Sequence, residues 1–412
     1  MIEYMRMKKL ENNEERIEEI LTRGVEDIIV KEDLKKQLAS GKKLRIKFGM
    51  DPTGPNLHLG RAVVLRKLRA FQDLGHTAVL IVGDFTALIG DPSDKLEKRP
   101  MLTPETIKEN LATYKKQVGK ILDLEKNIEI HFNSTWLKKL DFMEIATMAE
   151  SFTVQQMSQR RNFKERFEKS EDVSLREFLY PLMQGYDSVH VRSDVEIGGF
   201  DQLFNVKAGR IMQEHYNQVP QNILTTAMLV GTDGRKMSTS WGNIISIIDE
   251  PHDMYGKIMS VKDDLLITYF TLCTDISLEE IKKIAEGLVK GISHPRDIKM
   301  YLAREIVALY HSKKLAQEAE SHFVSTFSKG EIPKDAKSVT INIQMPLVDI
   351  LIKNKMIASK SEFRRLVQEG AITFHGEIEE KKIIDPNSLI GESGALKIGK
   401  RRFLKIIVKK NM

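Results

Sequence analysis

The spacing of apolar positions changes several times along the chain, and each change marks a different element. In the first forty residues Ile17, Ile20 and Leu21 fall at helical spacing among charged residues, so residues 1–40 read as charged helices that stop near Gly41. Leu44, Ile46 and Phe48 then alternate with basic residues, the period of a strand, ending in the turn-rich run Gly49-Met50-Asp51-Pro52-Thr53-Gly54-Pro55. From Gly60 the helical period returns, with Val64, Leu65, Leu68 and Phe71 on one face and Gly75 as C-cap. Ala78 to Val82 is wholly apolar, as expected of a strand covered on both faces. Further apolar or β-rich runs lie at Ile128–Phe132, Val189–Ile197 and Ile223–Val230, separated by helical stretches. This alternation predicts an α/β fold with a doubly wound parallel sheet, whose ligands bind beyond the carboxyl ends of the strands.

The rest of the chain is patterned differently. Residues 135–180 are helical and polar, an expected insertion between the two halves of the sheet and a candidate dimer surface. Residues 249–330 show helical periodicity without convincing strands, 331–345 read as a polar linker around Pro333, and 346–412 as a small basic α+β module. Residues 41–248 are then a Rossmann-like catalytic domain behind the N-terminal segment 1–40. With 412 residues there is ample chain for several domains. Composition excludes more than it reveals. Cys273 is the only cysteine, which rules out an internal disulfide and a cysteine-based zinc site. No apolar run reaches membrane-spanning length and the charged N-terminus is no signal peptide, so a cytoplasmic protein is expected. The net charge of +6 invites a polyanionic partner, and Lys397, Lys400, Arg401, Arg402, Lys405, Lys409 and Lys410 crowd the C-terminal end.

Three segments carry chemistry. His58-Leu59-Gly60-Arg61 places an imidazole at a helix N-terminus, where unpaired N–H groups and the dipole favour phosphate, and Gly60 lets a nucleotide approach the backbone. The alternative is that His58 merely caps the helix. Ile197-Gly198-Gly199-Phe200-Asp201-Gln202 follows a strand and opens a helix, a Gly-rich turn whose acid suits ribose hydroxyls. Lys236-Met237-Ser238-Thr239-Ser240 is a polar loop whose charge and hydroxyls can follow departing phosphates. A fourth pattern, Tyr180, Gln184 and Asp187 at i, i+4 and i+7, sets a phenol, an amide and an acid on one helix face, which suits a zwitterion bearing a phenolic hydroxyl.

Taken in order, these segments resemble the bacterial tyrosyl-tRNA synthetases, class I enzymes whose paired HIGH and KMSKS motifs match residues 58–61 and 236–240. Gly83-Asp84-Phe85-Thr86 and Ile89-Gly90-Asp91-Pro92-Ser93 extend the match, and the resemblance covers nearly the whole chain. It implies that tyrosine attacks ATP to give tyrosyl-adenylate and pyrophosphate, with transfer to tRNA(Tyr) afterwards. It assigns ATP to Gly49, Asp51, Thr53, His58, Gly60, Arg61, Gly199, Asp201, Lys236, Met237, Ser238 and Thr239, with His58, Arg61, Lys236 and Thr239 acting in catalysis. Tyrosine falls to Lys47, Asp91, Tyr180, Gln184, Asp187 and Gln202, with Asp187 accepting the phenolic hydroxyl and Asp91, Tyr180 and Gln184 holding the ammonium. ATP is expected to arrive with Mg²⁺, without a metal site built from protein residues, and the resemblance implies a homodimer.

The chain departs from that pattern in four places. Arg61 replaces the second histidine, Thr239 the second lysine, Asp94 the usual glycine, and Lys47 a tyrosine of many bacterial relatives. Arg61 is expected to restore the charge missing at Thr239. At the other end, Ser361 to Val367 reads as a short helix carrying Arg364 and Arg365, followed by a turn and strand, Gly370 to Gly376. This resembles the αL-type RNA-binding fold that bacterial tyrosyl enzymes carry, with Arg364, Arg365, Lys400, Arg401 and Arg402 facing RNA. The alternatives are a tryptophanyl-tRNA synthetase, a non-catalytic RNA-binding paralogue, suggested by Arg61 and Thr239, and a nucleotidylyltransferase.

Overall fold

The computed structural model describes residues 14–93, 101–237, 242–328, 336–342, 345–376, 380–390, 392–399 and 402–409. The chain divides into two compact units, Met1–Gln317 and Glu318–Met412. Among the described residues no helix is long and apolar enough to cross a membrane.

The first unit is built on six strands: β1 (Val25–Ile29), β2 (Arg45–Met50), β3 (Thr77–Val82), β4 (Ile128–Phe132), β5 (Val195–Gly199) and β6 (Asn222–Thr226). Their order is β1-β6-β5-β2-β3-β4; every neighbouring pair is parallel except β1 with β6. Five of β3's six residues are buried, because helices cover both faces of a parallel sheet. The winding reverses between β2 and β5, and their carboxyl ends open the crevice where such sheets bind ligands.

Three details differ from the expectation. Residues 1–40 are not all helical: α1 (14–22) and α2 (Lys31–Ala39) flank β1, whose Val25, Ile28 and Ile29 pair along the edge of β6. β-Branched residues beside an open sheet edge override the helical pattern around them. The run Val189–Ile197 is split, since the helix Leu175–Val191 runs into it and β5 starts only at Val195. β6 stops at Thr226, short of Val230. In α3 (Leu59–Asp73) the helix ends as its pattern says, with Leu74 as C-cap and Gly75 following at φ +94°. The later elements of this unit, from Pro251 to Tyr310, are helical.

In the second unit β7 (Lys337–Asn342) arises within the stretch read as linker, followed by β8 (Met345–Pro346), β9 (Ile372–Gly376), β10 (Glu380–Lys382), β11 (Leu389–Ile390), β12 (Gly394–Ile398) and β13 (Arg402–Lys409). The main sheet runs β10-β9-β12-β13-β7. Helices Leu347–Lys353 and Lys360–Gln368 contribute to its core through Leu347, Leu351, Phe363 and Leu366. Phe363 is 1% exposed. Its truncation to Ala should cost about 3–5 kcal/mol.

Candidate functional site

The site grows from the turn after β2. Met50 ends the strand, and residues 51–57 carry the chain to His58, the extended N-cap of α3. The segment after the lysine loop lies antiparallel to this turn: Leu59 N donates to the Ile245 carbonyl, Ile247 N to the Leu57 carbonyl, both at 2.9 Å. Two motifs far apart in sequence are thereby held side by side. A Cβ on Gly60 would lie 3.1 Å from the His58 ring and 3.8 Å from the Met237 sulfur, so Gly60 is where backbone, imidazole and the second motif converge. Lys236 Nζ donates to Asp201 Oδ2 at 2.9 Å, joining the loop to the turn after β5. Asn243 Nδ2 donates to Asp233 and to the Lys236 carbonyl, fixing the base of the loop.

Burial, then the nearby cations Arg61 and Lys236, push the His58 imidazole down to about 3. At neutral pH the ring is uncharged and works as a hydrogen-bonding group. Its buried Nδ1 has no partner among the described residues.

Arg61 is bonded to the turn that precedes it. Its Nη1 donates to the Asp51 carbonyl (2.8 Å) and to the Tyr114 hydroxyl (3.0 Å), and its Nη2 to Thr53 Oγ1 (2.7 Å). Tyr114 in turn donates to the Gly54 carbonyl. The guanidinium laces the turn 51–54 from below, a geometry that a planar fork of donors supplies and a lysine does not. Ser238 and Thr239, the expected counterparts in the loop, lie outside the described residues, as does Asp94.

A chain of hydrogen bonds crosses the crevice. Trp136 Nε1 donates to Asp187 Oδ1 at 2.8 Å and Asn133 Nδ2 to Asp187 Oδ2 at 3.2 Å. The same Asn133 amide donates to Thr86 Oγ1, which donates to Asp51 Oδ1 at 2.7 Å; Tyr180 Oη donates to Asp51 Oδ2 at 3.0 Å. The helix that carries Tyr180 and Asp187 starts at Ser174 in a capping box with Glu177, itself paired with Arg166 at 2.7 Å. Gly83 is required here, because a Cβ would lie 2.0 Å from Asp51 Oδ1.

These acids differ in charge. Burial raises Asp51 to about 6, with Thr86 and Tyr180 opposing and Asp91 reinforcing the shift. Burial raises Asp187 to about 7 against the pull of Lys47, Trp136 and Asn133. Asp91 goes the other way. Burial pushes its carboxyl up, but bonds from Ser93, the charge of Arg160 and the bond from Gln202 together hold it below the ordinary range.

Of the residues expected to bind an amino acid, Tyr180, Asp187, Asp91 and Gln202 line this crevice or its bonded wall, and Gln202 Nε2 donates to Asp91 Oδ2 at 2.8 Å. Gln184 Nε2 instead donates to Glu196. Lys47 is fully buried: its Nζ donates to the Gln184 carbonyl and Ser188 Oγ and pairs with Glu196 at 3.0 Å. It supports the helix Leu175–Val191 from behind. Sequence reasoning quoted Thr86 only within a matching motif and missed Tyr114, Asn133, Trp136, Arg160 and Asn205. Of these only Asn205 carried a local signal, one turn beyond Gln202.

Gly49 lies on β2 without crowding, and Thr53 is taken by Arg61. Gly199 precedes Asp201, whose Oδ1 would meet a Cβ there at 2.7 Å. A cavity of about 420 Å³ opens elsewhere, beside Arg23, Arg66, Arg69 and Tyr310. Arg23, Arg66 and Arg69 already pair with Glu19, Asp275 and Asp73. None of the residues above lines it.

In the second unit Arg364 is exposed on the helix Lys360–Gln368. Arg365 pairs with Glu369 at 3.2 Å, and Arg402 donates to Glu362 at 2.9 Å and to the Met356 carbonyl. Arg402 therefore ties β13 to that helix. Lys400 and Arg401 lie outside the described residues.

The family model of the class I tRNA synthetases (W and Y) matches residues 39–328. The tyrosine–tRNA ligase of Thermotoga maritima is 48% identical over 94% of this chain and 96% of its own length. That of Moorella thermoacetica is 46% identical over 97% of both chains. The tyrosine–tRNA ligase 2 of Clostridium acetobutylicum is 42% identical over 97% of this chain and 100% of its own. Among solved structures, a C-terminally truncated mitochondrial tyrosyl-tRNA synthetase of Aspergillus nidulans shares the fold at TM-score 0.64 and 22% identity, covering 78% of this chain and 99% of that one. The Archaeoglobus fulgidus tyrosyl-tRNA synthetase complexed with L-tyrosine does so at TM-score 0.60 and 22% identity, over 74% and 99%.

Proposed function

The chain belongs to the tyrosine–tRNA ligases of the class I tRNA synthetases, and from that premise we propose how its own residues join L-tyrosine to tRNA(Tyr). The observation that carries the proposal is the convergence of His58, Gly60, Met237 and Lys236 at one end of the crevice and of Asp187, Tyr180 and Asp91 along it. Triphosphate lies over the N-terminus of α3, where N–H groups and the dipole meet it. Mg²⁺ comes with ATP as part of the substrate.

Tyrosine lies with its phenolic hydroxyl donating to Asp187 and its ammonium against Asp91 and Tyr180. Its carboxylate attacks the α-phosphate in line, forming the mixed anhydride and releasing pyrophosphate. Lys236 follows the leaving charge on its loop, while neutral His58 donates a hydrogen bond to the phosphate oxygens as charge grows on them. Arg61 holds the turn 51–54 against which the nucleotide packs. The terminal ribose hydroxyl of the tRNA then takes the acyl group and AMP leaves. No covalent enzyme intermediate is required, so rate comes from placement and electrostatics.

Phenylalanine in this pocket would leave the acid at position 187 without its donor, a loss of about 1–3 kcal/mol. The tryptophan-specific reading is disfavoured by that acid and by the relatives named above. The helices from Pro251 to Tyr310 and the basic residues around Arg364 bind the tRNA. The 142–175 region exposes Phe142 (83%), Met143 (70%), Val154 (71%) and Leu175 (85%), apolar side chains suited to contact with a second copy of the chain. The test is tyrosine-dependent exchange of pyrophosphate into ATP. Exchange with tyrosine and not with tryptophan supports the proposal; exchange with neither points to a non-catalytic RNA binder.

A further inference from the structure

Arg160 is the strangest cation in the first unit. It is 5% exposed and makes no ion pair with an acid among the described residues. Its guanidinium carbon lies 4.5 Å from the ring centre of Phe204 and 5.1 Å from that of Phe163. Phe163 is itself stacked on Phe178 at 5.0 Å. Aromatic faces on a weakly hydrated planar cation make its burial tolerable, which an ammonium in the same place would not enjoy equally.

Its one side-chain hydrogen bond among the described residues is directional. Arg160 Nη2 donates to Asn205 Oδ1 at 2.9 Å. Because arginine has donors only, the atom of Asn205 that faces it must be the oxygen, and the amide NH₂ must point the other way. That NH₂ donates to Asp91 Oδ1 at 3.2 Å and to Gln202 Oε1 at 2.9 Å. The Gln202 oxygen being taken as acceptor, its NH₂ faces Asp91 Oδ2 (2.8 Å) and Ser93 Oγ (2.7 Å). Ser93 completes the set, donating from N and Oγ to the two oxygens of Asp91 at 2.9 and 2.6 Å. Every amide in the relay is oriented, and the orientation starts at Arg160.

We propose that Arg160 is a positioning residue for the amino-acid substrate: through Asn205 and Gln202 it sets the direction of both side-chain amide hydrogen bonds to Asp91, so that this carboxylate is presented as a fixed anion to the substrate's ammonium group. The inference rests on the reading above that Asp91 receives that group. Without Arg160, Asn205 can flip its amide and turn an oxygen toward Asp91, and Gln202 can follow. A carboxylate facing carbonyl oxygens is a poor site for an anion. The charged or titratable groups acting on Asp91 and its neighbours include Arg160, Asp51, Tyr180, Glu177, Asp187 and Arg61; Arg61 acts on Asp51, and Arg160 is the cation that acts on Asp91 itself.

The experiment is steady-state pyrophosphate exchange on the full chain, with KM for tyrosine and for ATP measured across pH. Arg160→Met should raise KM for tyrosine about tenfold or more while leaving KM for ATP within about twofold. The acid limb of kcat/KM for tyrosine should move to higher pH, because Asp91 loses the support of a cation. Arg160→Lys, which keeps a charge and a donor but sits less well between the rings, should recover part of both effects. Should Arg160→Met fail to fold, Asn205→Asp gives the same readout from the other side of the relay, since it accepts from Arg160 but sets a carboxylate against Asp91.

A folded Arg160→Met protein with parental KM for tyrosine and an unmoved acid limb overturns the proposal. So does an Asn205→Asp protein with both unchanged. Asp91→Asn is the control for the underlying reading. If it leaves KM for tyrosine untouched, Asp91 does not meet the ammonium, and that reading falls. If it abolishes binding while Arg160→Met does nothing, only the relay is wrong.

Discussion

Asp91 and Asp187 are the same side chain held in opposite states. Asp91 has four hydrogen bonds from three residues, and Arg160 stands behind it. Asp187, 3% exposed, has two bonds, from Asn133 and Trp136, and sits beside an indole stacked at 4.1 Å on His190. The nearest lysine, Lys47, is already paired with Glu196, which offsets its help. Burial therefore wins at Asp187 and loses at Asp91. The difference matches two tasks in one pocket. A site for an ammonium group must be an anion before the ligand arrives, whereas a site for a neutral hydroxyl needs only an oriented acceptor. Two carboxylates whose surroundings push them apart are how one crevice distinguishes the two ends of a substrate.

The contrast can be broken from either end. The largest effect is expected for Asp91→Asn, which leaves the substrate's ammonium buried without an anion; kcat/KM for tyrosine should fall by about two to three orders of magnitude. Asp187→Asn should cost about tenfold to a hundredfold in kcat/KM for tyrosine and less for phenylalanine, collapsing the ratio between them. Amino-acid-dependent pyrophosphate exchange measures both. His58→Gln, which keeps a donor near the phosphates, should retain at least about tenfold more exchange activity than His58→Ala, since an uncharged ring contributes through its hydrogen bond. If the two variants are equal, the imidazole acts by shape alone.

Smaller changes sharpen the comparison. Trp136→Phe removes one donor to the ionised form of Asp187, so its titration should move above about 7, with kcat/KM for tyrosine down about threefold to tenfold at pH 7. Stability carries the same sign. The acid of Asp187 titrates at 3.8 when unperturbed and at about 7 in the fold, so it favours the folded state below 3.8 and that contribution is lost as pH rises through 7. Asp187→Asn should therefore flatten the pH dependence of the denaturation midpoint between those two values, and an unchanged slope would place the group elsewhere.

How much of this was readable in the chain depends on whether the partners are neighbours. β3 shows as an unbroken apolar run because a strand covered on both faces needs nothing else. β1 does not, since its acidic residues mask β-branched ones that matter only once β6 is beside them. Tyr180 and Asp187 were visible as one helix face, and they do reach the crevice. Gln184, on the same face, turns to Glu196, because a buried acid from β5 is there to receive it. The relay around Asp91 joins residues 111 and 114 positions apart, and the bond that orients it spans 45. No local period encodes such contacts. Arg61 shows the same limit: its charge was legible, but its commitment to the turn 51–54 depends on Tyr114, which a separate helix supplies.

The measurement that bears most directly on the account is a ¹³C NMR pH titration of the aspartate carboxylates in the free protein, with Asp91→Asn and Asp187→Asn used to assign the two signals. The account predicts one titrating near 7 and the other below the ordinary aspartate range. Two signals shifted in the same direction, or Asp187 titrating as an unperturbed acid, would contradict it.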